Sequence, residues 1–325
     1  MAAKFKWGLL STARINDAIL GAMPQSERGE VVAVASRDHA RAQAYASAKG
    51  LSRAYGSYEA LLADPDIQIV YNPLPNHLHA EWTIKALQAG KHVLCEKPFA
   101  LSVPDVDAMF AAAATAGRVL VEAFMYRHHP KILKVKELID SGSIGEPRLF
   151  LASFSFVLDR PDDIRWDPTK GGGALWDVGC YPLSLARYLF GAPERVEAWQ
   201  RKWFSGVDET FTATLYHSGE RVTQFNCSFQ MPFRSHAEVV GNEGVITMER
   251  PFQPSSPEAS LSLRRGDRED VIELPNPQMY WLEIEDLHDA ILTGAPTRVT
   301  PAETRGHVES LLQLYAKAGR LTPAA

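Results

Sequence analysis

Hydrophobic and polar positions along the chain follow two different rhythms, and the rhythm changes near residue 124. Before that point, short runs of β-branched and aromatic residues alternate with stretches whose apolar residues recur every three or four positions. This alternation is typical of βα units that build a parallel sheet. The predicted strands are residues 5–10, 30–35, 67–71, 92–95 and 119–123, and the predicted helices are residues 14–23, 39–49, 79–89 and 103–116. Gly50, Gly90 and Gly117 are expected to end helices, and Ser102 to begin one.

After residue 124 the pattern predicts a helix over 131–141, an extended segment over 148–157 and two closing helices over 280–292 and 301–318. Residues 194–273 alternate apolar and polar positions between short turns, which indicates an antiparallel or mixed sheet. The fold class is therefore α/β. We expect a Rossmann-like domain over residues 1–123 and an α/β domain with a large, mostly antiparallel sheet over residues 124–325, with the site in the cleft between them.

Composition and charge argue against several classes of protein. The chain has 325 residues with 34 Lys and Arg against 39 Asp and Glu, so no broad positive field favours nucleic acid or an anionic membrane. Cys95, Cys180 and Cys227 are widely spaced and contain no C-x-x-C pair, which argues against a disulfide framework or a structural zinc site. The apolar run after Met1 is too short for a secretion signal or a membrane span. We expect a cytoplasmic protein.

Two histidine pairs suggest a metal at first sight. His77 and His79 form one pair, and His128 and His129 form the other. No third ligand follows either pair at a convincing spacing, so no metal site is predicted.

The segment from Trp7 to Asn16 lies where a Rossmann phosphate loop belongs, between an apolar strand and a helix. Ser11 and Ala13 replace the first two glycines of the G-x-G-x-x-G pattern, so on its own the segment fits an ordinary strand–turn–helix equally well. The residues expected to contact the cofactor here are Gly8, Ser11, Thr12, Ala13, Arg14 and Ile15.

The end of the second predicted strand bears on the choice of cofactor. Ser36 and Arg37 occupy the place where an acidic residue would bind the ribose of NAD. A guanidinium can bind a 2′-phosphate with two hydrogen bonds, and the serine hydroxyl adds a donor. The sequence therefore favours NADP, with NAD as a secondary cofactor.

Three segments in order resemble the glucose-fructose oxidoreductase, inositol dehydrogenase and rhizopine-catabolism (Gfo/Idh/MocA) family. They are Pro75-Asn-His-Leu-His79, Glu96-Lys-Pro98 and Gly171-Gly-Gly-Ala-Leu-Trp-Asp-Val-Gly-Cys-Tyr181. The loop at Ser11–Ala13 resembles the branch that contains NADP-dependent sugar dehydrogenases and dimeric dihydrodiol dehydrogenases.

The resemblance implies roles for the matched residues. Lys97 would lie beside the nicotinamide and the reacting hydroxyl, and Pro98 would make its turn cis or otherwise rigid. Tyr181 would be the general acid and base, with its pKa lowered by Lys97, and Asp177 would orient the substrate. Both would lie on one helix face, because they are four positions apart. The loop of Leu74, Pro75, Asn76 and His79, together with Glu96, would line the cofactor.

Four further residues are candidates from their positions. Arg165 and Trp166, just before the glycine run, are expected to contact cofactor phosphate and the nicotinamide carboxamide. Tyr126 and Arg127, at the domain junction, are expected to face the substrate.

The expected activity is hydride transfer between NADP and a carbinol carbon of a small sugar or polyol, as in an aldose 1-dehydrogenase for xylose or glucose. Alternatives within the family are a trans-dihydrodiol dehydrogenase, an anhydro-sugar ketone reductase and a glycosidase with tightly held NAD. An alternative of another class is a dinucleotide-sensing regulator. The resemblance also implies a homodimer joined through the second sheet.

Overall fold

The structure, a computed structural model, describes residues 4–253 and 259–318. Its strands are β1 (Phe5–Leu10), β2 (Gly29–Ala35), β3 (Arg53–Tyr55), β4 (Ile69–Asn72), β5 (His92–Glu96), β6 (Leu120–Ala123), β7 (Pro147–Val157), β8 (Pro193–Lys202), β9 (Asp208–His217), β10 (Arg221–Ser228), β11 (Gln230–Gly241), β12 (Val245–Glu249), β13 (Leu261–Arg265) and β14 (Arg268–Ile272). Its α-helices are α1 (Asn16–Ala22), α2 (His39–Lys49), α3 (Tyr58–Leu62), α4 (His79–Gln88), α5 (Val103–Ala116), α6 (Pro130–Asp140), α7 (Cys180–Phe190), α8 (Met279–Thr293) and α9 (Pro301–Lys317).

The chain divides into two compact units. The first contains the described residues up to Met125 together with Pro277–Arg305, and the second contains the described part of Tyr126–Asn276 and the described residues from Gly306 onward. The sequence placed residues 277–305 in the second domain, whereas the structure assigns them to the first unit. The reason is hydrophobic packing: Ile284 and Leu287 of α8 are fully buried in the apolar cluster of the first sheet, which includes Trp7 and Tyr71.

Six parallel strands form the sheet of the first unit, in the order β3-β2-β1-β4-β5-β6. The apolar runs predicted as strands are buried on both faces, as expected for a parallel sheet. The chain reverses its direction of strand addition between β1 and β4. In open α/β sheets this switch point, at the carboxyl ends of the strands, is where ligands bind.

Eight strands form the sheet of the second unit, in the order β14-β13-β12-β11-β7-β10-β9-β8. The pair β7 and β10 is parallel and the other pairs are antiparallel, which confirms the predicted mostly antiparallel sheet. Long strands alternate buried and partly exposed positions, so one face of the sheet packs more tightly than the other.

No helix within residues 4–253 and 259–318 has the length and hydrophobicity that crossing a bilayer requires.

Candidate active site

The predicted phosphate loop connects β1 to α1 at the switch point of the first sheet. Ser11 has φ 84°, a left-handed conformation that glycine adopts more readily, so the first glycine of the motif has been replaced without a change of backbone shape. The backbone N–H of Ser11 donates to the carbonyl oxygen of Ala35 at 2.9 Å, and Asn16 Nδ2 donates to the carbonyl of Ser11 at 2.9 Å. These two bonds fix the turn. The Oγ of Ser11 is buried and meets no hydrogen-bond partner among the described residues.

The rest of this loop is open to solvent on one side. Thr12 and Ala13 are half-buried, and Arg14 and Ile15 are exposed. Gly8 has a different role, because it lies inside β1 and a Cβ there would come within 2.8 Å of Leu61. Glycine is needed at position 8 because β1 packs closely against α3.

Two cations, Arg37 after β2 and Arg41 in α2, lie near the loop. Ser36 is buried and Arg37 is exposed, as suits a hydroxyl and a guanidinium at the rim of a site. Arg41 of α2, which the sequence analysis did not single out, donates from Nε to Thr12 Oγ1 at 2.8 Å. Burial raises the pKa of the Tyr58 hydroxyl, and the charges of Arg37 and Arg41 oppose that shift, which places both cations close to Tyr58. Together with the orphaned Ser11 Oγ, the loop and these cations fit a phosphorylated dinucleotide.

His79 joins the loop after β4 to the turn after β5. Its Nε2 lies 2.7 Å from the carbonyl oxygen of Leu74, and its Nδ1 lies 2.9 Å from that of Pro98. The ring is fully buried, and burial lowers its pKa to about 4, so the imidazole is neutral at ordinary pH. A neutral imidazole donates from one nitrogen only, so the tautomer decides which of the two carbonyl oxygens accepts the hydrogen bond. Pro75 and Asn76 are half-buried beside this histidine.

Lys97 follows the last residue of β5. The Lys97–Pro98 peptide bond is cis, in agreement with the expected cis or rigid turn. The carboxylate of Glu96 accepts a hydrogen bond from Tyr71 Oη at 2.6 Å and another from the backbone N–H of Lys97 at 3.2 Å. Glu96 therefore fixes the start of the turn that carries the lysine.

In the second unit, Asp177 lies in a π-helical turn, Leu175–Gly179, that leads directly into α7. Tyr181 is in the first turn of α7, so the two residues do not share one regular helix as the four-residue spacing predicted. π-turns within helices are frequent at functional sites. The glycine run before the turn is needed sterically, since Gly173 has φ 128° and a Cβ on Gly172 would come within 2.4 Å of the carbonyl oxygen of Arg165.

Asp177 is ion-paired. Arg165 Nε donates to Asp177 Oδ2 at 2.7 Å, and Arg165 Nη1 donates to Asp163 Oδ1 at 3.1 Å. The negative charge of Asp177 raises the pKa of the Arg165 guanidinium above its ordinary value. The structure thus brings two predicted site residues together, with Arg165 as a partner of the predicted substrate-orienting carboxylate.

Tyr181 lies in an aromatic cage that we define as Tyr126, Phe154 and Phe252. The centroid of its ring is 5.6 Å from that of Tyr126, 5.4 Å from that of Phe154 and 5.8 Å from that of Phe252. Tyr126 Oη also donates to the carbonyl oxygen of Tyr181 at 3.4 Å. Of the cage, only Tyr126 was a candidate from sequence. Phe154 and Phe252 come from distant parts of the chain and carry no local signal.

Two other predicted residues of the second unit have aromatic partners of their own. Trp166 is buried between Trp203, at 4.7 Å between ring centroids, and Phe229, at 5.2 Å. Arg127 is buried with its guanidinium 3.9 Å above the ring of Tyr188. Both contacts would fix neighbouring backbone whether or not a ligand is bound.

Comparison with known proteins gives matches over both units. Residues 5–124 match the model of an oxidoreductase family with an NAD-binding Rossmann fold (GFO/IDH/MocA), and residues 132–247 match the model of the GFO/IDH/MocA C-terminal domain.

Two relatives and one solved structure each cover more than three quarters of this chain. D-xylose 1-dehydrogenase (NADP(+)) 2 of Haloferax volcanii is 38% identical over 316 residues, covering 96% of this chain and 97% of the relative. Trans-1,2-dihydrobenzene-1,2-diol dehydrogenase of Mus musculus is 35% identical, covering 77% of this chain and 76% of the relative. The crystal structure of KijD10, a 3-ketoreductase from Actinomadura kijaniata in complex with NADP and TDP-benzene, superposes with a TM-score of 0.91 at 32% identity, covering 97% of this chain and 98% of that one.

Proposed function

Because the chain belongs to the GFO/IDH/MocA oxidoreductase family, we propose that it is an NADP-dependent dehydrogenase that oxidises a carbinol carbon of a small sugar or polyol, or reduces the corresponding carbonyl. Membership of this family makes the chain an NAD(P)-dependent oxidoreductase. The proposal of a sugar or polyol substrate rests on the surroundings of Tyr181. Its ring is held by an aromatic cage, and the neighbouring helical turn carries Asp177, which is paired with Arg165.

The choice of an aldose as substrate is supported by the xylose dehydrogenase of Haloferax volcanii, which matches over nearly all of both chains. A carboxylate–arginine pair such as Asp177 and Arg165 can bind the hydroxyls of a sugar. A second candidate substrate is a trans-dihydrodiol of an aromatic ring. The mouse relative is a dehydrogenase of that substrate class.

NADP is the proposed cofactor, with NAD as a weaker alternative. Ser11 Oγ, the N–H groups of the loop from Thr12 to Ile15 and the start of α1 would hold the pyrophosphate. Ser36, Arg37 and Arg41 would hold the 2′-phosphate, since two guanidiniums neutralise it and supply paired donors.

The chain's own residues would handle the proton while the bound nicotinamide supplies or accepts the hydride. Tyr181 holds the proton exchanged with the substrate hydroxyl at its Oη. The ammonium of Lys97 favours the deprotonated hydroxyl. Asp177 accepts a hydrogen bond from a neighbouring substrate hydroxyl and, being held by Arg165, orients the substrate without taking the transferred proton.

The test is turnover of a substrate panel. The purified chain is mixed with NADP⁺ and, in turn, aldoses, polyols and trans-dihydrodiols, and the absorbance of reduced nicotinamide is followed. Tyr181→Phe should lower kcat about 100-fold or more on the best substrate, because the proton acceptor is lost. Tyr216→Phe, which removes a hydroxyl from a half-buried tyrosine of β9, is the matched control and should change kcat less than about twofold.

Arg37→Ala and Arg41→Ala test the cofactor in the same assay. Each should raise KM for NADP⁺ about tenfold and leave KM for NAD⁺ nearly unchanged. Equal effects on both cofactors would contradict the assigned phosphate site. Tight dinucleotide binding without turnover of any panel member would replace the enzyme by a dinucleotide-sensing regulator.

We also propose a homodimer formed through the less tightly packed face of the second sheet. This face forms a shallow hollow lined by residues of β7–β11, including Leu151, Trp199, Thr212, Gln224 and Arg234. A sheet face that mixes aromatic, apolar and charged side chains is suited to a two-fold contact with its own copy.

A further inference from the structure

Asp208, the first residue of β9, lies beside the π-helical turn that carries Asp177. Asp208 is 33 positions after Leu175, yet its Oδ2 accepts a hydrogen bond from the backbone N–H of Leu175 at 2.6 Å. Leu175 is the first residue of the turn, where an N–H has no acceptor within the helix. Asp208 therefore caps a helical segment from a distant strand, and its negative charge is at the end of the helix where an anion is stabilised.

Tyr315 of α9 holds the other oxygen of the same carboxylate. Tyr315 Oη donates to Asp208 Oδ1 at 2.7 Å, and its ring contacts Trp176 of the turn at 5.5 Å and Phe211 of β9 at 5.6 Å between centroids. Burial, and then the charge of Asp208, raise the pKa of Tyr315 well above its ordinary value, so the hydroxyl keeps its proton and remains a donor. Asp208 is 2% exposed, so water does not compete for these bonds.

Gly173 leaves the space that this carboxylate occupies. A Cβ at residue 173 would come within 2.2 Å of Asp208 Oδ1 and 2.9 Å of Tyr315 Oη. Glycine is therefore required at position 173 for two reasons, its positive φ and the space that the carboxylate occupies. The turn continues from here, because the N–H of Asp177 donates to the carbonyl of Gly173 at 3.1 Å.

We propose that Asp208 and Tyr315 are positioning residues for the reaction: they fix the start of the turn that places Asp177, and through α7 Tyr181, in their working orientation. The expected effect on kcat rests on the proposed function, whereas the expected effect on the structure of the turn does not. A displacement of about 1 Å in a group that orients a substrate costs up to about 100-fold in rate, so two hydrogen bonds to this turn are sufficient to matter.

The variants separate positioning from folding. Asp208→Ala removes both bonds, and Tyr315→Phe removes one. Asp208→Asn keeps the shape, since the amide oxygen can accept from Leu175 and the amide nitrogen can donate to Tyr315 Oη, which is also an acceptor. Thr210→Val is the matched control: it removes a buried hydroxyl of the same strand whose hydrogen bond, of 2.8 Å, goes to Ser228 Oγ rather than to the turn.

Two measurements are made on the full chain. By hydrogen exchange and mass spectrometry, the amides of residues 175–181 should exchange roughly five- to tenfold faster in Asp208→Ala and Tyr315→Phe, and at the original rate in Asp208→Asn and Thr210→Val. In the panel assay, Asp208→Ala and Tyr315→Phe should lower kcat about 10- to 100-fold with KM for NADP⁺ changed less than about twofold, and Asp208→Asn should restore kcat.

Either of two results would overturn the inference: exchange of the turn in Tyr315→Phe that equals the exchange in Thr210→Val, or a kcat in Tyr315→Phe that equals the control's. If Asp208→Ala does not fold, Tyr315→Phe and Asp208→Asn decide the question. Failure of the proposed function is distinguishable, because Tyr181→Phe would then retain its rate while the exchange measurement still reports on the turn.

Discussion

Ser11 is a residue whose backbone and side chain have separate consequences. A non-glycine residue in the left-handed region is destabilised by about 1 kcal/mol relative to glycine. Its hydroxyl is buried and has no hydrogen-bond partner among residues 4–253 and 259–318, so the hydroxyl does not stabilise the fold. The serine is therefore better explained by a bound ligand than by stability.

The corresponding prediction compares two substitutions. Ser11→Gly should raise the free energy of unfolding by about 1 kcal/mol, because the strain is relieved, and raise KM for NADP⁺ roughly 3- to 10-fold, because a donor to the cofactor is lost. Ser11→Ala is the control, since it loses the hydroxyl and keeps the strain, so KM should rise without a gain in stability. Urea unfolding and cofactor titration measure the two effects. An unchanged KM in both variants would contradict a contact between Ser11 and the cofactor.

Residue-scale inference from sequence succeeds where a motif fixes the place of a side chain. Lys97 at the end of β5 and Ser36 and Arg37 at the end of β2 lie where the βα pattern puts them. Arg41, Phe154 and Phe252 were missed, because their relevance depends on which distant elements meet. Trp166 belongs to this second kind as well, since only the fold reveals that Trp203 and Phe229 enclose it.

At the scale of elements, α8 attaches to the first sheet through a buried histidine. Trp7 Nε1 donates to His288 Nε2 at 3.1 Å, and the ring of Phe5 stacks on His288 with 5.1 Å between centroids. His288 Nδ1 faces Glu285 Oε1 at 3.3 Å. Only the neutral tautomer with its proton on Nδ1 satisfies both contacts, because protonated Nε2 would point an N–H at the indole N–H.

This arrangement predicts how stability depends on pH. Burial lowers the pKa of His288 below its unfolded value of 6.5, so its contribution to stability is complete above about pH 6.5 and is lost as pH falls through the lowered pKa. His92 and His217, with pKa lowered by burial to about 4, act in the same direction. The buried carboxyl of Asp208 opposes them, since burial raises its pKa from 3.8 to about 6 and its contribution is lost as pH rises through that range.

The variant His288→Phe isolates the helix contact. It leaves the Trp7 N–H without an acceptor and should destabilise the fold by about 1–3 kcal/mol at pH 7.5, with a smaller further loss on going to pH 5.5 than the unsubstituted chain shows. Urea unfolding at the two pH values measures this. His39→Gln, at an exposed histidine that begins α2, should leave both values unchanged. A pH dependence in His288→Phe as steep as that of the unsubstituted chain would contradict the assignment.

Elements with a strong local signal were predicted well. Helices α2 and α5 have the predicted bounds, ending at Gly50 and Gly117 in left-handed conformations, with Ser102 capping α5 as expected. Strand β3, with three residues, and helix α3, with five, were not predicted, because such short runs give no periodicity. The π-turn before α7 was also missed, since it depends on the remote cap from Asp208.

At the scale of the whole molecule, the proposed homodimer makes a testable prediction. Light scattering should find particles of two chains, and Trp199→Glu or Thr212→Glu should convert them to single chains, because a charge would be buried without a partner at the centre of the contact. Phe204→Glu is the control, at a residue that is 85% exposed and does not line the hollow. Single chains of the unsubstituted protein at micromolar concentration would contradict the proposed dimer.

The assignment of Pro277–Arg305 to the first unit has a consequence for how the protein is made. Synthesis proceeds from the N-terminus, and a nucleotide-binding unit formed by one continuous stretch could fold once that stretch had left the ribosome. Here the sheet is complete after β6, but the apolar cluster that includes Trp7 and Tyr71 waits for Ile284 and Leu287. The unit made first is therefore finished late, after most of the second unit has been synthesised, and its uncovered apolar surface is exposed to chaperones during that interval.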